Sequence, residues 1–254
     1  MRAHVEGLID NPANLANNRI WLFHGDKDSD VPKSTVQELK KFYELMGVPV
    51  ENIAGEDGPD AQHGMPVKAL PAGRSTNHCN APDPSFLVKC DYGAAELLLR
   101  YLYPDASSAA DGLSETGRIA GFNQTEFFDE ADQSTSLNET GYLYVPKACE
   151  NSSESGIKCH LHVAFHGCEQ YPARIHNAFV REAGYNAYAE ASRVIVLYPQ
   201  AKPWNFLAAP VSGNPEGCFD WWGYSGDDYL GQNGKQMRAV REMIGRLLPR
   251  TPQR

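Results

Sequence analysis

The sequence predicts a layered α/β fold with parallel strands, because short apolar runs alternate with amphipathic segments along most of the chain. Continuous apolar runs such as "NRIWLFHG" (18–25) and "RVIVLYPQ" (193–200) are typical of strands buried on both faces. Segments such as "PKSTVQELKKFYELMG" (32–47) repeat apolar side chains at helical intervals. Polar side chains lie directly after the strands, where open α/β sheets place their ligand sites.

The first half of the chain, after its opening strand, contributes two helices and one further strand. In the first helix Ser34 and Gln37 stand at the spacing of a capping box, and Gly47 is expected to end the helix. Residues 48–54 are interpreted as the next strand. A loop rich in Gly, Pro and Asp follows, and "YGAAELLLRYLYP" (92–104) predicts a helix that ends at its proline.

The second half begins with a polar segment, residues 105–139, which predicts a linker or a set of weak edge strands. Regular structure is expected again after this segment. The expected strands are 141–146, 161–167 and 193–200, and the expected helices are 174–192 and 234–248.

The bulk composition bounds the domain count and the class of partner. The 254 residues are enough for one large domain, or at most two small ones, and without an internal repeat we expect a single domain over 1–254. The formal net charge of −9 argues against a nucleic-acid or anionic-membrane partner. No run of about 18 apolar residues occurs, so no membrane-spanning segment is predicted. We expect a monomer.

The cysteines are interpreted as three disulfides, which implies an oxidising compartment. Two pairs lie close in the sequence and one is long-range: Cys79 with Cys90, Cys149 with Cys159, and Cys168 with Cys218. Sequence alone does not fix the pairing, so six reduced structural cysteines of a cytosolic protein stay open as the alternative. Three glycosylation sequons are compatible with secretion but arise easily by chance: Asn123, Asn138 and Asn151.

The loop "LFHGDKDSDVP" carries three aspartates at alternate positions, Asp26, Asp28 and Asp30, and this spacing invites a calcium interpretation. An EF-hand loop that starts at Asp26 needs Gly at its sixth position and Glu at its twelfth. Those positions are Val31 and Gln37. The calcium interpretation therefore fails on both.

Asp28 and His63 form the first candidate for catalysis. Asp28 lies just beyond a predicted strand and His63 lies in a later loop, which is the order in which α/β-hydrolases carry the acid and the base of their triad. Spacing alone favours a simpler alternative, a solvated acidic turn and an unrelated loop histidine.

The second candidate is the loop "HVAFHGCEQ" that follows a predicted buried strand. A His-Gly pair at such a place is typical of the oxyanion loop of esterases, in which a backbone N–H faces the developing alkoxide. The donor here is the N–H of Cys168, and its thiol is expected in a disulfide with Cys218.

A metal cluster is the alternative for the same region, since histidines and cysteines are concentrated there. Ligands along a single strand rarely converge on one ion, so we expect no metal site. The residues concerned are Cys159, His160, His162, His166 and Cys168.

Several long motifs in this order resemble the extracellular polyhydroxybutyrate (PHB) depolymerases: "LFHGDKDSDVP", "QHGMP", "CDYGAAELLLRYLYP", "YLYVP", "HVAFHGCEQ", "GYNAYAEAS", "VIVLYPQA" and "NPEGCFDWWGY". The resemblance covers about residues 10–248. It implies an α/β-hydrolase fold, secretion, a polyester or small ester substrate and no metal or organic cofactor. The site it implies has Asp28 as triad acid, His63 as base, Cys168 as oxyanion donor and Trp221 in the substrate crevice. With Asp28 as the triad acid, Asp26 and Asp30 become loop and capping residues. Without the resemblance, a core or lid aromatic stays open as the alternative for Trp221.

The order of the motifs departs from ordinary members of this family, because the Asp and His segments precede "HGC". This order resembles the circularly permuted, fungal single-domain branch, in which the nucleophile segment lies at the extreme N-terminus. No G-x-S-x-G occurs, and "GYSGDD" (223–228) comes closest. The chain opens on "MRAHVEGLIDNPANL", a helical pattern without the apolar core of a signal peptide. We therefore expect a chain that is truncated at its N-terminus, lacks its serine and is inactive alone.

Two other functions stay open. One is a feruloyl or acetylxylan esterase on the same scaffold, and the other is a non-catalytic module that adsorbs to hydrophobic polyester.

Overall fold

The computed structural model describes most of the chain. The described residues are 6–58, 60–69, 78–81, 85–104, 114–150, 156–204 and 213–248. The sequon at Asn151 and residues 105–113 of the polar segment lie outside them.

The described residues contain the predicted mixture of strands and α-helices, but the two alternate only in part, since strands also follow one another without a described α-helix between them. The strands are β1 (Ile20–Gly25), β2 (Ile53–Gly58), β3 (Met65–Val67), β4 (Leu87–Lys89), β5 (Arg118–Asn123), β6 (Thr140–Val145), β7 (His160–Val163) and β8 (Val194–Tyr198). The helices are α1 (Lys33–Leu45), α2 (Ala94–Leu102), α3 (Pro172–Ile175), α4 (Ala178–Glu182), α5 (Tyr185–Ser192) and α6 (Lys235–Leu247). Short 3₁₀ helices are Pro12–Asn17, Val50–Asn52, Gln124–Phe127, Gln133–Thr135 and Lys147–Cys149.

The strands form one mixed four-stranded sheet and two parallel pairs. The large sheet has the order β5-β6-β8-β7, and the pairs are β1-β2 and β3-β4. Strands β7 and β8 are parallel, whereas β6 runs antiparallel to both β5 and β8. The prediction of parallel strands is thus correct for three pairings and wrong for the two that involve β6. The polar segment supplies β5, an edge strand, whose antiparallel pairing with β6 needs no crossover helix.

Helices cover both faces of β8, which places this strand in the middle layer. Val196 and Tyr198 belong to a core cluster with Leu99 of α2 and with α4 and α5. Leu197 points to the opposite face, where it packs with Met243 of α6. Alternate side chains of a strand point to opposite faces, so a run that is apolar throughout is the pattern of a strand buried on both sides. Among the described residues, no helix combines the length and the apolar character needed to cross a membrane.

Helix α1 begins differently from the prediction. Its N-cap is Pro32, which makes no side-chain capping bond, so Ser34 lies inside the first turn and the predicted capping box is wrong. Pro32 has the extended conformation of a cap residue (φ −60°, ψ 145°), and the helix starts at the next residue. The predicted stop is confirmed, because Gly47 adopts φ +88° directly after the C-cap. The strand expected at 48–54 begins only at Ile53, after a 3₁₀ turn.

Two predicted helices are broken or absent. The segment 174–192 contains three short helices instead of one, because His176 and Gly184 both have positive φ angles, 55° and 87°. The N-terminal helical pattern is also wrong over the described residues, since turns are followed by a 3₁₀ helix that begins at Pro12.

Candidate active site

Asp28 and His63 are brought into direct contact. The carboxylate Oδ2 of Asp28 lies 3.0 Å from Nδ1 of His63. The side chain of Asp28 is only 12% exposed, while that of His63 is 43% exposed and therefore accessible from outside. Asp28 follows β1, and His63 stands two residues before β3. The carboxylate is thus placed to orient an imidazole whose other nitrogen, Nε2, remains available.

Backbone contacts between the two loops fix this pair. Lys27 donates its N–H to the carbonyl of Ala61 at 3.0 Å, and Asp28 donates to the carbonyl of Gly25 at 2.9 Å. The loops pass so closely that a Cβ at Gly25 would overlap the carbonyl of Ala61. Only glycine permits this approach without a backbone shift.

A disulfide supports the His63 loop from the other side. Gln62 donates its N–H to the carbonyl of Cys79 at 2.9 Å, and Cys79 is bonded to Cys90 just beyond β4. The ring of His63 also contacts Phe86 edge-on, with centroids 6.4 Å apart. His63 is therefore held by residues far from it in sequence.

The carboxylate of Asp28 also organises its own loop. Its Oδ1 accepts the N–H groups of Asp30 and Val31, both at 2.9 Å. Burial raises the pKa of Asp28, but the hydrogen bonds from Val31, His63 and Asp30 outweigh it, so the pKa lies below its usual value. Asp28 is accordingly an anion at neutral pH. Asp26 is exposed, and no group of three metal-ligating side chains occurs among the described residues.

The loop after β7 is held by Gln170, a side chain that is 5% exposed. Its Oε1 accepts the N–H of Gly167 at 2.6 Å, and its Nε2 donates to the carbonyl of Ser85 at 2.8 Å. Ser85 directly precedes Phe86, which contacts His63. Gln170 therefore connects the loop of Cys168 to the surroundings of His63.

Cys168 follows Gly167 in the same loop and is also held in place. Its sulfur is bonded to Cys218, and the neighbouring Glu169 (φ +62°) donates its N–H to the carbonyl of Glu216 at 2.7 Å. Within the part of the chain that the structure describes, no group accepts a hydrogen bond from the N–H of Cys168. This donor is therefore available to a ligand.

His166 is a structural residue of the same loop. It is 4% exposed, and its Nδ1–H donates to the carbonyl of Gly167 at 2.7 Å while Nε2 accepts the N–H of Ala201 at 3.0 Å. A ring that donates from Nδ1 and accepts at Nε2 is neutral, and burial lowers the pKa of His166 to about 4. His162 is likewise neutral, since burial lowers its pKa to about 4 as well. Among the described residues, neither ring lies in a group of three potential metal ligands, and Cys159 is in a disulfide with Cys149.

One cavity of about 630 Å³, here called the central cavity, is lined by Asp28, His63 and Cys168 together. Its apolar wall includes Phe23, Phe86 and Phe165. Such a mixture of apolar wall and a few convergent polar groups is typical of small-molecule sites. The structure thus brings three of the four predicted site residues to one place.

Trp221 is not among the described lining residues of the central cavity. It is 71% exposed and contacts Trp222 edge-on, with ring centroids 5.2 Å apart. Its loop is rigidly built, because the carboxylate of Asp220 accepts the backbone N–H groups of Trp222, Gly223, Tyr224 and Ser225. Trp221 is therefore a surface aromatic on an ordered loop that begins at the Cys168–Cys218 bridge.

The structure contains three disulfides, in the pairs that spacing predicted: Cys79–Cys90, Cys149–Cys159 and Cys168–Cys218. Sequence reasoning missed Gln170 and Glu216, both of which line the central cavity. A signal for Gln170 existed, since it lies within "HGCEQ", but its partner Ser85 is remote in sequence. Glu216 precedes Cys218 by two residues, so the predicted disulfide already placed it near Cys168.

Comparison with curated proteins identifies two relatives. A poly(3-hydroxybutyrate) depolymerase of Delftia acidovorans is 32% identical over 242 residues, which cover 95% of this chain and 45% of the relative. A polyhydroxybutyrate depolymerase of Talaromyces funiculosus is 30% identical over 251 residues, which cover 94% of this chain and 69% of the relative. The chain thus spans about half of the first relative and about two thirds of the second. No family model matches the chain.

Two solved structures share the fold. A serine-to-alanine variant of a PHB depolymerase in complex with an R3HB trimer superimposes with a TM-score of 0.80 at 29% identity, over 92% of this chain and 71% of that one. The PHB depolymerase of Penicillium funiculosum superimposes with a TM-score of 0.79 at 28% identity, with the same coverage. These likenesses establish an α/β-hydrolase-like fold. Because 94% of this chain matches the Talaromyces funiculosus relative at 30% identity and the fold is shared, this chain belongs to the PHB depolymerase family.

Proposed function

We propose that this chain is the acid–base part of a secreted serine esterase that hydrolyses ester bonds of poly(3-hydroxybutyrate) or its oligomers. The observation that carries the proposal is the contact of Asp28 with His63 in a cavity that is also lined by Cys168. Membership in the PHB depolymerase family supports the substrate class. The three disulfides support secretion.

Each residue has a definite role in this proposal. Asp28 holds His63 in the tautomer with a proton on Nδ1 and stabilises the imidazolium that forms during the reaction. Nε2 of His63 removes the proton of a serine hydroxyl and later returns it to the leaving alcohol. The N–H of Cys168 stabilises the oxyanion of the tetrahedral intermediate, and Trp221 contacts the substrate at the surface.

The nucleophilic serine, in this proposal, is not in this chain but in a segment ahead of it, as in a circularly permuted arrangement. Ser225, from the closest match to a nucleophile motif, is 4% exposed and donates its hydroxyl to Asp220 at 2.6 Å. Ser29 is exposed and is not among the described residues that line the central cavity. Removal of a triad serine costs about 10⁶-fold in kcat in subtilisin, so we expect no measurable turnover from the chain alone.

The purified chain tests this expectation with p-nitrophenyl butyrate, a small ester that needs no polymer recognition. We expect hydrolysis indistinguishable from that of the His63→Ala variant. Turnover that His63→Ala abolishes would mean that the chain carries its own nucleophile. Ser29→Ala and Ser225→Ala variants would then identify it, and a panel that includes feruloyl and acetylxylan esters would define the acyl preference.

A non-catalytic polyester-binding module is the second candidate. The absence of a serine from the described lining of the central cavity favours it, together with the exposed pair of Trp221 and Trp222. Co-sedimentation with polymer granules measures adsorption, and assay of soluble acid measures hydrolysis. A binding module adsorbs without acid release even when a serine-bearing segment is supplied, whereas the esterase proposal expects release in that case.

A further inference from the structure

The charged side chains that line the central cavity are of one sign. Among its described lining residues the charged ones are Asp28, Asp30, Glu169 and Glu216, and neither lysine nor arginine is present. Asp28 has a fixed partner in His63. Glu169 and Glu216, in contrast, lie next to the proposed oxyanion donor and take no part in the proposed acid–base chemistry.

The backbone fixes both glutamates beside Cys168. Glu169 is the next residue in the chain, and its N–H donates to the carbonyl of Glu216 at 2.7 Å. Glu216 lies two residues before Cys218, which is bonded to Cys168. The carboxyl group of Glu169 lies close enough to raise the pKa of Glu216, through a hydrogen bond to its protonated form and through repulsion of its charged form, and at pH 8 both groups are treated as carboxylates.

A single cation compensates this pair in part. Nη2 of Arg174 lies 3.3 Å from Oε1 of Glu169, with side chains that are 39% and 28% exposed. Arg174 is not among the described lining residues, and its charge offsets one of the two carboxylates. The field beside Cys168 therefore remains negative.

We propose that Glu169 and Glu216 determine specificity by excluding free carboxylates from the reaction centre, so that the cavity accepts neutral ester units. The proposal rests on the proposed function, since it concerns the same cavity. Ester hydrolysis converts a neutral bond into a carboxylate and an alcohol, and the acid product carries a charge that the substrate bond lacks. The two glutamates then repel the end of a short acid and favour interior ester bonds of a longer chain.

The expected effect is moderate because both carboxylates are near the surface. A ligand carboxylate about 8 Å from one net negative charge is disfavoured by about 0.5 to 2 kcal/mol for effective dielectric constants between about 80 and 20. This corresponds to a change of about two- to thirtyfold in Kd. Salt screens charges over about 10 Å at 0.1 M ionic strength, so the effect must decrease when salt is added.

Calorimetric titration of the chain with the trimer of (R)-3-hydroxybutyrate tests the proposal, because binding needs no nucleophile. The free acid and its methyl ester differ in the terminal charge and in one methyl group, and only the effect of the charge depends on salt. At pH 8 and low salt we expect the methyl ester to bind at least about twofold more tightly, and we expect the difference to shrink in about 0.5 M NaCl.

The double variant Glu169→Gln/Glu216→Gln is expected to abolish the preference for the ester. A matched control, Glu51→Gln/Glu242→Gln, removes two exposed carboxylates that are not among the described lining residues. Both variants change the net charge equally, but the control leaves Glu169 and Glu216 in place. The control is therefore expected to keep the preference for the ester. If the double variant does not fold, the salt series on the unmodified chain decides, and a preference that salt does not reduce overturns the proposal.

Each remaining outcome has a definite meaning. Equal affinity for acid and ester overturns the charge filter and leaves the proposed function standing. A preference that survives in Glu169→Gln/Glu216→Gln also overturns the filter. Binding of neither ligand overturns the proposed function, and the filter with it.

Discussion

Replacement of Gln170 by alanine tests the link between the Cys168 loop and the surroundings of His63. The side chain is 5% exposed and makes two hydrogen bonds, one from the N–H of Gly167 and one to the carbonyl of Ser85. Loss of the buried bond to the carbonyl of Ser85 costs about 1–3 kcal/mol, and loss of the partly buried bond from the N–H of Gly167 adds about 1 kcal/mol. We therefore expect Gln170→Ala to lower the free energy of unfolding by about 2–4 kcal/mol.

Two comparisons separate this effect from the general cost of substitution. Gln170→Glu keeps an acceptor for Gly167 but places a carboxylate in a nearly buried site against the carbonyl of Ser85, so its cost at pH 7 should be at least as large. Gln133→Ala removes one bond from an exposed glutamine, which donates to the carbonyl of Glu130, and should cost below about 0.5 kcal/mol.

Urea unfolding followed by tryptophan fluorescence gives the free energies, and hydrogen exchange of the Gly167 and Cys168 amides reports on the loop itself. We expect Gln170→Ala to speed exchange at Gly167. A change in stability below about 0.5 kcal/mol, with unchanged exchange, would refute the role assigned to Gln170.

Three further predictions follow from the same contacts. Gly25→Ala forces a Cβ onto the carbonyl of Ala61 and should lower the free energy of unfolding in urea by more than about 2 kcal/mol. The control Gly55→Ala adds a Cβ whose nearest contact is at 3.6 Å and should cost about 1 kcal/mol or less. Removal of the Cys168–Cys218 bridge, which spans 50 residues, should cost about 4 kcal/mol through the entropy of the unfolded loop. Removal of the Cys79–Cys90 bridge, which spans 11 residues, should cost about 3 kcal/mol, and the opposite order in thermal unfolding would contradict this expectation. Because the pKa of Asp28 is depressed on folding, its stabilisation is present above about pH 4 and is lost as the pH falls below that value. The difference in unfolding free energy between the unmodified chain and Asp28→Asn should therefore be larger at pH 7 than near pH 3, and a constant difference contradicts the assignment.

The strands and long helices were predictable because their signals are local. The apolar run before Gly25 and the positive-φ position at Gly47 determine a buried strand and a helix end within a few residues. The antiparallel pairing of β6 was not predictable, since strand direction in a sheet depends on the whole path of the chain. Helix α1 begins directly after Pro32, which shows that the fixed φ angle of proline took precedence over the capping pattern of Ser34 and Gln37.

The candidate site was predictable in its residues but not in its supports. Asp28, His63 and Cys168 were found from strand-end positions and from the resemblance to a family. Gln170 and Glu216 act through contacts with Ser85 and Glu169 that only the folded chain brings together.

Trp221 was expected in a crevice, and the structure places it on an exposed loop outside the described lining of the central cavity. Contacts between residues remote in sequence leave no local pattern, which explains what was missed.

The proposed roles of Asp28 and His63 as acid and base of an esterase, with the serine on another segment, can be tested in a chimera. In this chimera the N-terminal segment of the Talaromyces funiculosus relative is joined ahead of residue 6 of this chain, and release of soluble acid from PHB granules is measured. We expect release by the chimera, none by the chain alone, and loss of release in the chimera with His63→Ala. A folded chimera that releases no acid, or one whose activity survives His63→Ala, would contradict these roles.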